Sequence, residues 1–224
     1  MIKRRDFVLG ASALAATPVL AQTPAAPPAS QPPAAPAAPA TLAPPAPGLV
    51  RVALNTAAGT IVLDLNQEKA PITTKNFLRY IDAKRYDASS FYRASRPAGA
   101  TTDQYGIIQG GNENNPAKTY PAIALEPTTT TGLKHLDGTI SMGRSAPNSA
   151  TSDFFICIGD AAYLDSDPSK PGDNLGYAAF GQVVQGMDVV KKILVMPTSP
   201  TKGVGAMKGQ MLEPRVAITT ARRV

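Results

Sequence analysis

Glycine and proline cut the chain after Leu49 into short apolar runs, and this segmentation limits what it can fold into more than any other feature. "LVRVALNTAAGTIVLDL" sets Val50, Val52 and Leu54 on one face, turns through "NTAAGT" and resumes with Ile61, Leu63 and Leu65. A period of two on both sides of a turn predicts a hairpin. "SSFYRAS" (Ser89 to Ser95), "YGIIQGGN", "AIALEP", "GTISMGRS", "DFFICIG" and "YAAFGQVV" read as further short strands, and "EPRVAITTARRV" alternates Val216 and Ile218 as a last one. Only two stretches carry a helical period. "APITTKNFLRYIDAKRYD" offers Pro71 as a first helical position with Phe77, Tyr80 and Ile81 at i, i+3 and i+4, and "QGMDVVKKILVM" spaces Met187, Val190 and Leu194 at i, i+3 and i+7. Many short strands with two helices predict a mainly β domain over residues 49–224, a closed antiparallel barrel whose ends the helices cap, because closure removes exposed strand edges.

The residues before Leu49 cannot join such a core. Lys3, Arg4 and Arg5 precede a mildly apolar stretch from Phe7 to Leu20 that is too short to span a bilayer, and Val19 and Ala21 form a small-residue cleavage site. Residues 1–21 therefore read as a signal peptide, and Arg4-Arg5-Asp6-Phe7-Val8-Leu9 resembles the bacterial twin-arginine export signal. A periplasmic protein with no stable membrane insertion after cleavage is the expectation. No cysteine stands at the cleavage point, so no lipid anchor is indicated. Residues 22–48 hold 20 alanines and prolines among 27 residues and no charge, which predicts a disordered, semi-rigid polyproline-like linker.

Of the 22 basic and 16 acidic residues, removing the signal takes three and one, leaving 19 against 15 and a net charge of +4. That balance is too mild and too evenly spread for a nucleic-acid partner. Cys157, the single cysteine, lies in the apolar run "FFICIG" and reads as a small buried hydrophobe; with one histidine, His135, it leaves no set of zinc ligands. "DSDPSKPGDNLG" (Asp165 to Gly176) lacks the ligand spacing of a calcium loop and reads as an inserted solvent loop. Nothing indicates an oligomer, and a monomer is the default.

One residue does not fit an apolar sheet. In "SSFYRAS", strict alternation sets Phe91 and Arg93 on one face and Tyr92 and Ala94 on the other. A guanidinium is not buried unpaired. Arg93 therefore marks a wet outer face, an ion pair, or a site.

"FYRAS", "IIQGGN", "GTISMGRSAPNSATSDFFI", "YLD" and "FGQVVQGMDVVKKI", in this order and at these separations, resemble the cyclophilin family of peptidyl-prolyl cis/trans isomerases. The resemblance covers nearly all of residues 49–224 and implies an eight-stranded antiparallel barrel with two capping helices and a proline-accepting groove on its outer surface. It implies an isomerase that accelerates X-Pro rotation during the folding of exported proteins, acting on proline-containing polypeptides with no cofactor and no metal. The other reading is a non-catalytic chaperone-like module that binds extended proline-containing segments.

By this resemblance Arg93 is the arginine that hydrogen-bonds the carbonyl of the substrate proline, and Gln109 the glutamine that holds it. Phe155 and Leu164 match apolar pocket walls, and Ile107 takes a position usually held by methionine. Gly143 and Arg144 lie where the family's backbone pairs with an extended peptide, so Arg144 is expected to act through its main chain. Tyr163 stands where many relatives have tryptophan, Tyr177 where many have histidine, and Asp153 replaces a common glutamine. His135 matches a structural position. Gly106 departs most: an aromatic pocket floor is expected there, so either Tyr105 fills the space through a local bulge or the pocket is wider.

Overall fold

The computed structural model describes residues 42–100, 102–113 and 115–224. The signal peptide expected over residues 1–21 and most of the expected linker lie outside the described residues. The unit Ala43–Val224 is the one described below.

Its chain forms strands β1 (Leu49–Thr56) and β2 (Gly59–Asn66), helix α1 (Pro71–Asp82), strands β3 (Ser89–Ser95) and β4 (Gly106–Gly111), and a short helix α2 (Thr128–Thr131). Strands β5 (Thr139–Met142), β6 (Phe154–Ile158) and β7 (Ala179–Gln185) follow, then helix α3 (Met187–Leu194), a two-residue strand β8 (Thr198–Ser199) and β9 (Met211–Arg223). The strands pair antiparallel in the order β1-β2-β7-β5-β6-β4-β3-β9, and β9 pairs back to β1. Eight strands thus close a ring, and β8 adds a short pairing on the outside of β9. The long last strand makes closure possible: Ile218 to Arg223 pair with β1, while Met211 and Val216 to Ile218 pair with β3.

The predicted hairpin is β1–β2, with Val52, Leu54, Ile61, Leu63 and Leu65 fully buried. Both predicted helices are present, with Pro71 in the first turn of α1 and Phe77, Tyr80 and Ile81 turned into the barrel. Phe77 meets Phe154 edge-on at 5.3 Å and Tyr86 at 4.9 Å, and Phe154 meets Phe91 edge-on at 5.6 Å. Each such pair adds about 0.5–1.5 kcal/mol beyond its buried area.

Two sequence expectations fail. "AIALEP" forms no strand; it makes one bridge, Ile123 to Ala150, because Pro121 and Pro127 bound it and the Leu125 N–H is taken by the Asn148 side chain at 2.8 Å. Glu126 of this segment instead accepts the N–H groups of Ile72 and Thr73 at 3.0 and 2.8 Å, placing a carboxylate at the N-terminus of α1. The alternation of "SSFYRAS" is also broken. The register against β4 runs Phe91 to Gly110 and then Arg93 to Gln109, so Tyr92 is an extra, bulged residue. Phe91 and Ala94 face the core, while Tyr92 and Arg93 both line the outer face.

Candidate active site

Strand β6 is apolar throughout because both of its faces are covered. Phe154, Ile156 and Ile158 enter the barrel core, whereas Phe155 and Cys157 join Ala161 and Leu164 in a second, outer cluster against which Ile107 and Tyr177 pack. Burial pushes the Cys157 thiol up to about 12, in keeping with a small hydrophobe rather than a nucleophile. Pairing of β4 with β6 sets Gln109 opposite Phe155 and Ile107 opposite Cys157. Leu164 comes from a single 3-10 turn over Ala162–Leu164, which leaves Tyr163 at the rim, 67% exposed.

All nine sequence-predicted residues, Arg93, Ile107, Gln109, Gly143, Arg144, Phe155, Tyr163, Leu164 and Tyr177, line one outer cleft of about 600 Å³. Arg93 is partly buried there. Its Nη1 donates to Gln109 Oε1 at 2.8 Å and its Nε to Gln210 Oε1 at 2.8 Å, and Nη2 makes no hydrogen bond among the described residues. Burial draws the guanidinium's pKa down from its ordinary value while nearby tyrosine hydroxyls oppose the change; an arginine remains charged throughout the physiological range. The cleft therefore offers a fixed cation with open donors beside an apolar wall.

That wall is braced from behind. His135 stacks on Phe155 at 6.0 Å and 14°, its Nδ1 lies 2.7 Å from Asp165 Oδ1, and its Nε2 lies 2.9 Å from Ser141 Oγ. Tyr177 meets Phe155 edge-on at 5.3 Å. The Gly143 N–H already donates to the Asp153 carbonyl at 2.7 Å, so only its carbonyl is open to a peptide. The Arg144 side chain is committed as well: it grips Asp173 in two-pronged fashion at 2.6 and 2.9 Å, donates from Nε to the Gly176 carbonyl at 2.7 Å, and lies over the Tyr177 ring at 5.2 Å. The Asp165–Gly176 loop is thereby tied to the cleft.

Tyr105 does not fill the position left by Gly106. Gly106 has φ +149°, and a Cβ there would fall 2.4 Å from the Ser95 carbonyl oxygen; Tyr105 lies against Gly159 and is outside the cleft lining. Apolar surface comes instead from Ala206, Met207 and Met211, before and at the start of β9. These residues and Gln210 were not foreseen. Gln210 lies 117 positions from Arg93 in a stretch with no periodic pattern, so the sequence carries no signal for it.

Residues 50–222 match the family model described as "Cyclophilin type peptidyl-prolyl cis-trans isomerase/CLD". The chain is 37% identical over 154 residues to a peptidyl-prolyl cis-trans isomerase of Streptomyces antibioticus, covering 68% of this chain and 87% of that protein. It is 39% identical over 151 residues to peptidyl-prolyl cis-trans isomerase A of Dickeya dadantii, covering 66% and 72%. The fold is similar to a crystal structure of a cyclophilin-type isomerase of Cryptosporidium parvum, with a TM-score of 0.61 at 20% identity over 79% of this chain and 98% of that one. A second structure of that protein, obtained in the presence of the dipeptide Ala-Pro, matches with a TM-score of 0.60.

Proposed function

The chain belongs to the family of cyclophilin-type peptidyl-prolyl cis-trans isomerases, and we propose that it turns X-Pro bonds by means of Arg93, held beside an apolar pocket by Gln109. Amide resonance opposes that rotation with a barrier of about 18–20 kcal/mol, and the uncatalysed step takes roughly tens to hundreds of seconds. No covalent bond has to break, so neither a nucleophile nor a metal is required. As the imide twists, resonance is lost and the proline nitrogen becomes pyramidal. A group that binds the twisted form more tightly than either planar form lowers the barrier.

Ile107, Phe155 and Leu164 receive the proline ring and keep water from the imide, while the open donors of Arg93 hold the proline carbonyl and favour the twisted geometry. Gly143 supplies a main-chain carbonyl to the extended peptide. Tyr163 and Tyr177 form the aromatic rim. If such contacts together lower the barrier by about 7 kcal/mol, the rate rises about 10⁵-fold. The carrying observation is the clamped guanidinium with unused donors at the edge of the Phe155 cluster. The crystal structure of the Cryptosporidium isomerase obtained with Ala-Pro supports proline-containing polypeptides as substrates. Catalysis is therefore preferred to the binding-module reading.

In a fluorescence or protease-coupled assay on a short X-Pro peptide, Arg93→Ala should lose about 10²- to 10³-fold in kcat/KM. Equal rates for parent and variant would remove Arg93 from the mechanism. Lys3, Arg4, Arg5 and the apolar stretch after them support an exported isomerase that assists folding in the periplasm. Replacing Arg4 and Arg5 together by lysine should leave the protein in the cytoplasm, read by cell fractionation; unimpaired export would remove the twin-arginine assignment.

A further inference from the structure

We propose that the Arg144 side chain and Asp173 form a latch that makes the Asp165–Gly176 loop part of the cleft wall, and that both are positioning residues which hold Tyr177 against Phe155 and so tighten the grip on the proline ring. The inference rests on the reading of the Phe155 pocket as the place that receives that ring. One guanidinium makes every contact the latch needs. Its Nη1 and Nη2 donate to the two carboxylate oxygens of Asp173 at 2.6 and 2.9 Å, and its Nε donates to the carbonyl of Gly176, the residue before Tyr177, at 2.7 Å. The same group lies over the Tyr177 ring at 5.2 Å, and that ring meets Phe155 edge-on at 5.3 Å. A main-chain role for Arg144 toward the peptide leaves its side chain free for this work.

The loop is fixed at its neck and held at its tip by different means. At the neck, Asp165 Oδ1 accepts from the His135 main-chain N–H at 3.1 Å, and the Ser166 N–H donates to Thr128 Oγ1 at 2.9 Å. The two ends of the loop pack closely: Gly176 has φ +64°, and a Cβ there would fall 2.5 Å from the Ser166 nitrogen. Further out, the Asp167 N–H donates to the Asn174 carbonyl at 2.8 Å, and the side chains of Asp167, Ser169 and Lys170 bond to one another. Among the described residues, the Asp173–Arg144 pair is the only hydrogen-bonded tie from Asp167–Asp173 to anything outside the loop.

Burial is uneven across the pair, with the Arg144 side chain 7% exposed and that of Asp173 41%. A guanidinium drawn out of water needs its donors occupied, and its planar fork fits the two oxygens of one carboxylate. Hydrogen bonding to Arg144 holds the Asp173 carboxyl below its ordinary range, so the pair stays ionised at neutral pH. Without Asp173, the guanidinium keeps one carbonyl and one ring and gains by turning toward water, which uncovers Tyr177. Each peptide that enters then has to order Tyr177 and the loop again, a cost charged to binding. Arg93, Gln109 and Gln210 stand on other segments and keep their mutual contacts, so turnover of a bound peptide is unaffected. The signature of the latch is therefore a change in KM at constant kcat.

The test is kcat and KM on a short X-Pro peptide for the parent, Asp173→Asn, Asp173→Glu, Arg144→Ala, the double variant Arg144→Ala with Asp173→Asn, and Phe155→Ala, with hydrogen exchange followed over residues 165–177. Asp173→Asn should raise KM about threefold and Arg144→Ala about tenfold at unchanged kcat, and the double variant should be no worse than Arg144→Ala. Asp173→Glu, which keeps a carboxylate, should recover most of the loss. Exchange should quicken over the loop in Asp173→Asn and stay as it was in α1. If Arg144→Ala does not fold, Asp173→Asn and its rescue by Asp173→Glu carry the test. Effects on KM that multiply in the double variant, or a faster loop with KM unchanged while Phe155→Ala raises it, overturn the latch alone. An unchanged KM in Phe155→Ala overturns both the latch and the pocket reading beneath it.

Discussion

His135 shows what a buried titratable side chain contributes without touching substrate. Its ring is pinned between Asp165 and Ser141 and stacks on Phe155, so it fixes the pocket wall. Burial lowers its pKa in the fold, with the Asp165 contact opposing, so the native state resists the proton that an unfolded chain accepts near about 6.5. The unfolded state then binds more protons as pH falls through that value, and stability drops. Denaturant titrations across this range should show a loss of stability in the parent that His135→Asn, lower in stability throughout, does not share. Equal slopes for the two would mean that the imidazole titrates alike in both states. Asp165 lies 30 positions from His135 and Phe155 is on another strand, so the sequence indicated a structural histidine but not what it supports.

At the scale of elements, the site is assembled by irregularities more than by regular strands. The bulge in β3 turns two consecutive side chains outward, which a period of two forbids. The Asp165–Gly176 loop reads as solvent-exposed in sequence, yet its Asp173 holds Arg144 and its Gly176 carbonyl takes the same guanidinium. The segment between α3 and β9 delivers Gln210 to Arg93 Nε and Met207 to the cleft. Gln210→Ala would leave one face of the guanidinium unheld while Gln109 still grips the other. We expect kcat to fall about tenfold with KM little changed, the mark of lost orientation rather than lost binding. A rise in KM at constant kcat would instead make Gln210 a contact for the peptide. The regular parts were legible beforehand: β1–β2 from its alternation, α1 and α3 from their apolar spacing and Pro71, and β6 from a run apolar on both faces.

At the scale of the whole molecule, closure of the ring is what brings the site together. Arg93 and Gln109 meet across β3–β4, Phe155 lies one strand further on, and Gln210 arrives because β9 passes beside β3 on its way to β1. Ion pairs between β9 and the region around α1, Arg222 with Asp87 and Arg223 with Asp82, lie near that seam. The sequence by itself determined the β1–β2 hairpin, helices α1 and α3 and the antiparallel barrel, and its motifs, through their resemblance to a known family, picked out the nine cleft residues, because periodicity and motif order are local properties of the chain. Only the tertiary structure decided that Tyr105 lies outside the cleft, and that Tyr92 faces it and stands with Gln210 at the two ends of the hydrogen-bond network around Arg93. Those outcomes depend on one extra residue in a ladder, on a glycine too crowded for a side chain, and on contacts between distant segments, none of which leaves a periodic trace in the order of residues.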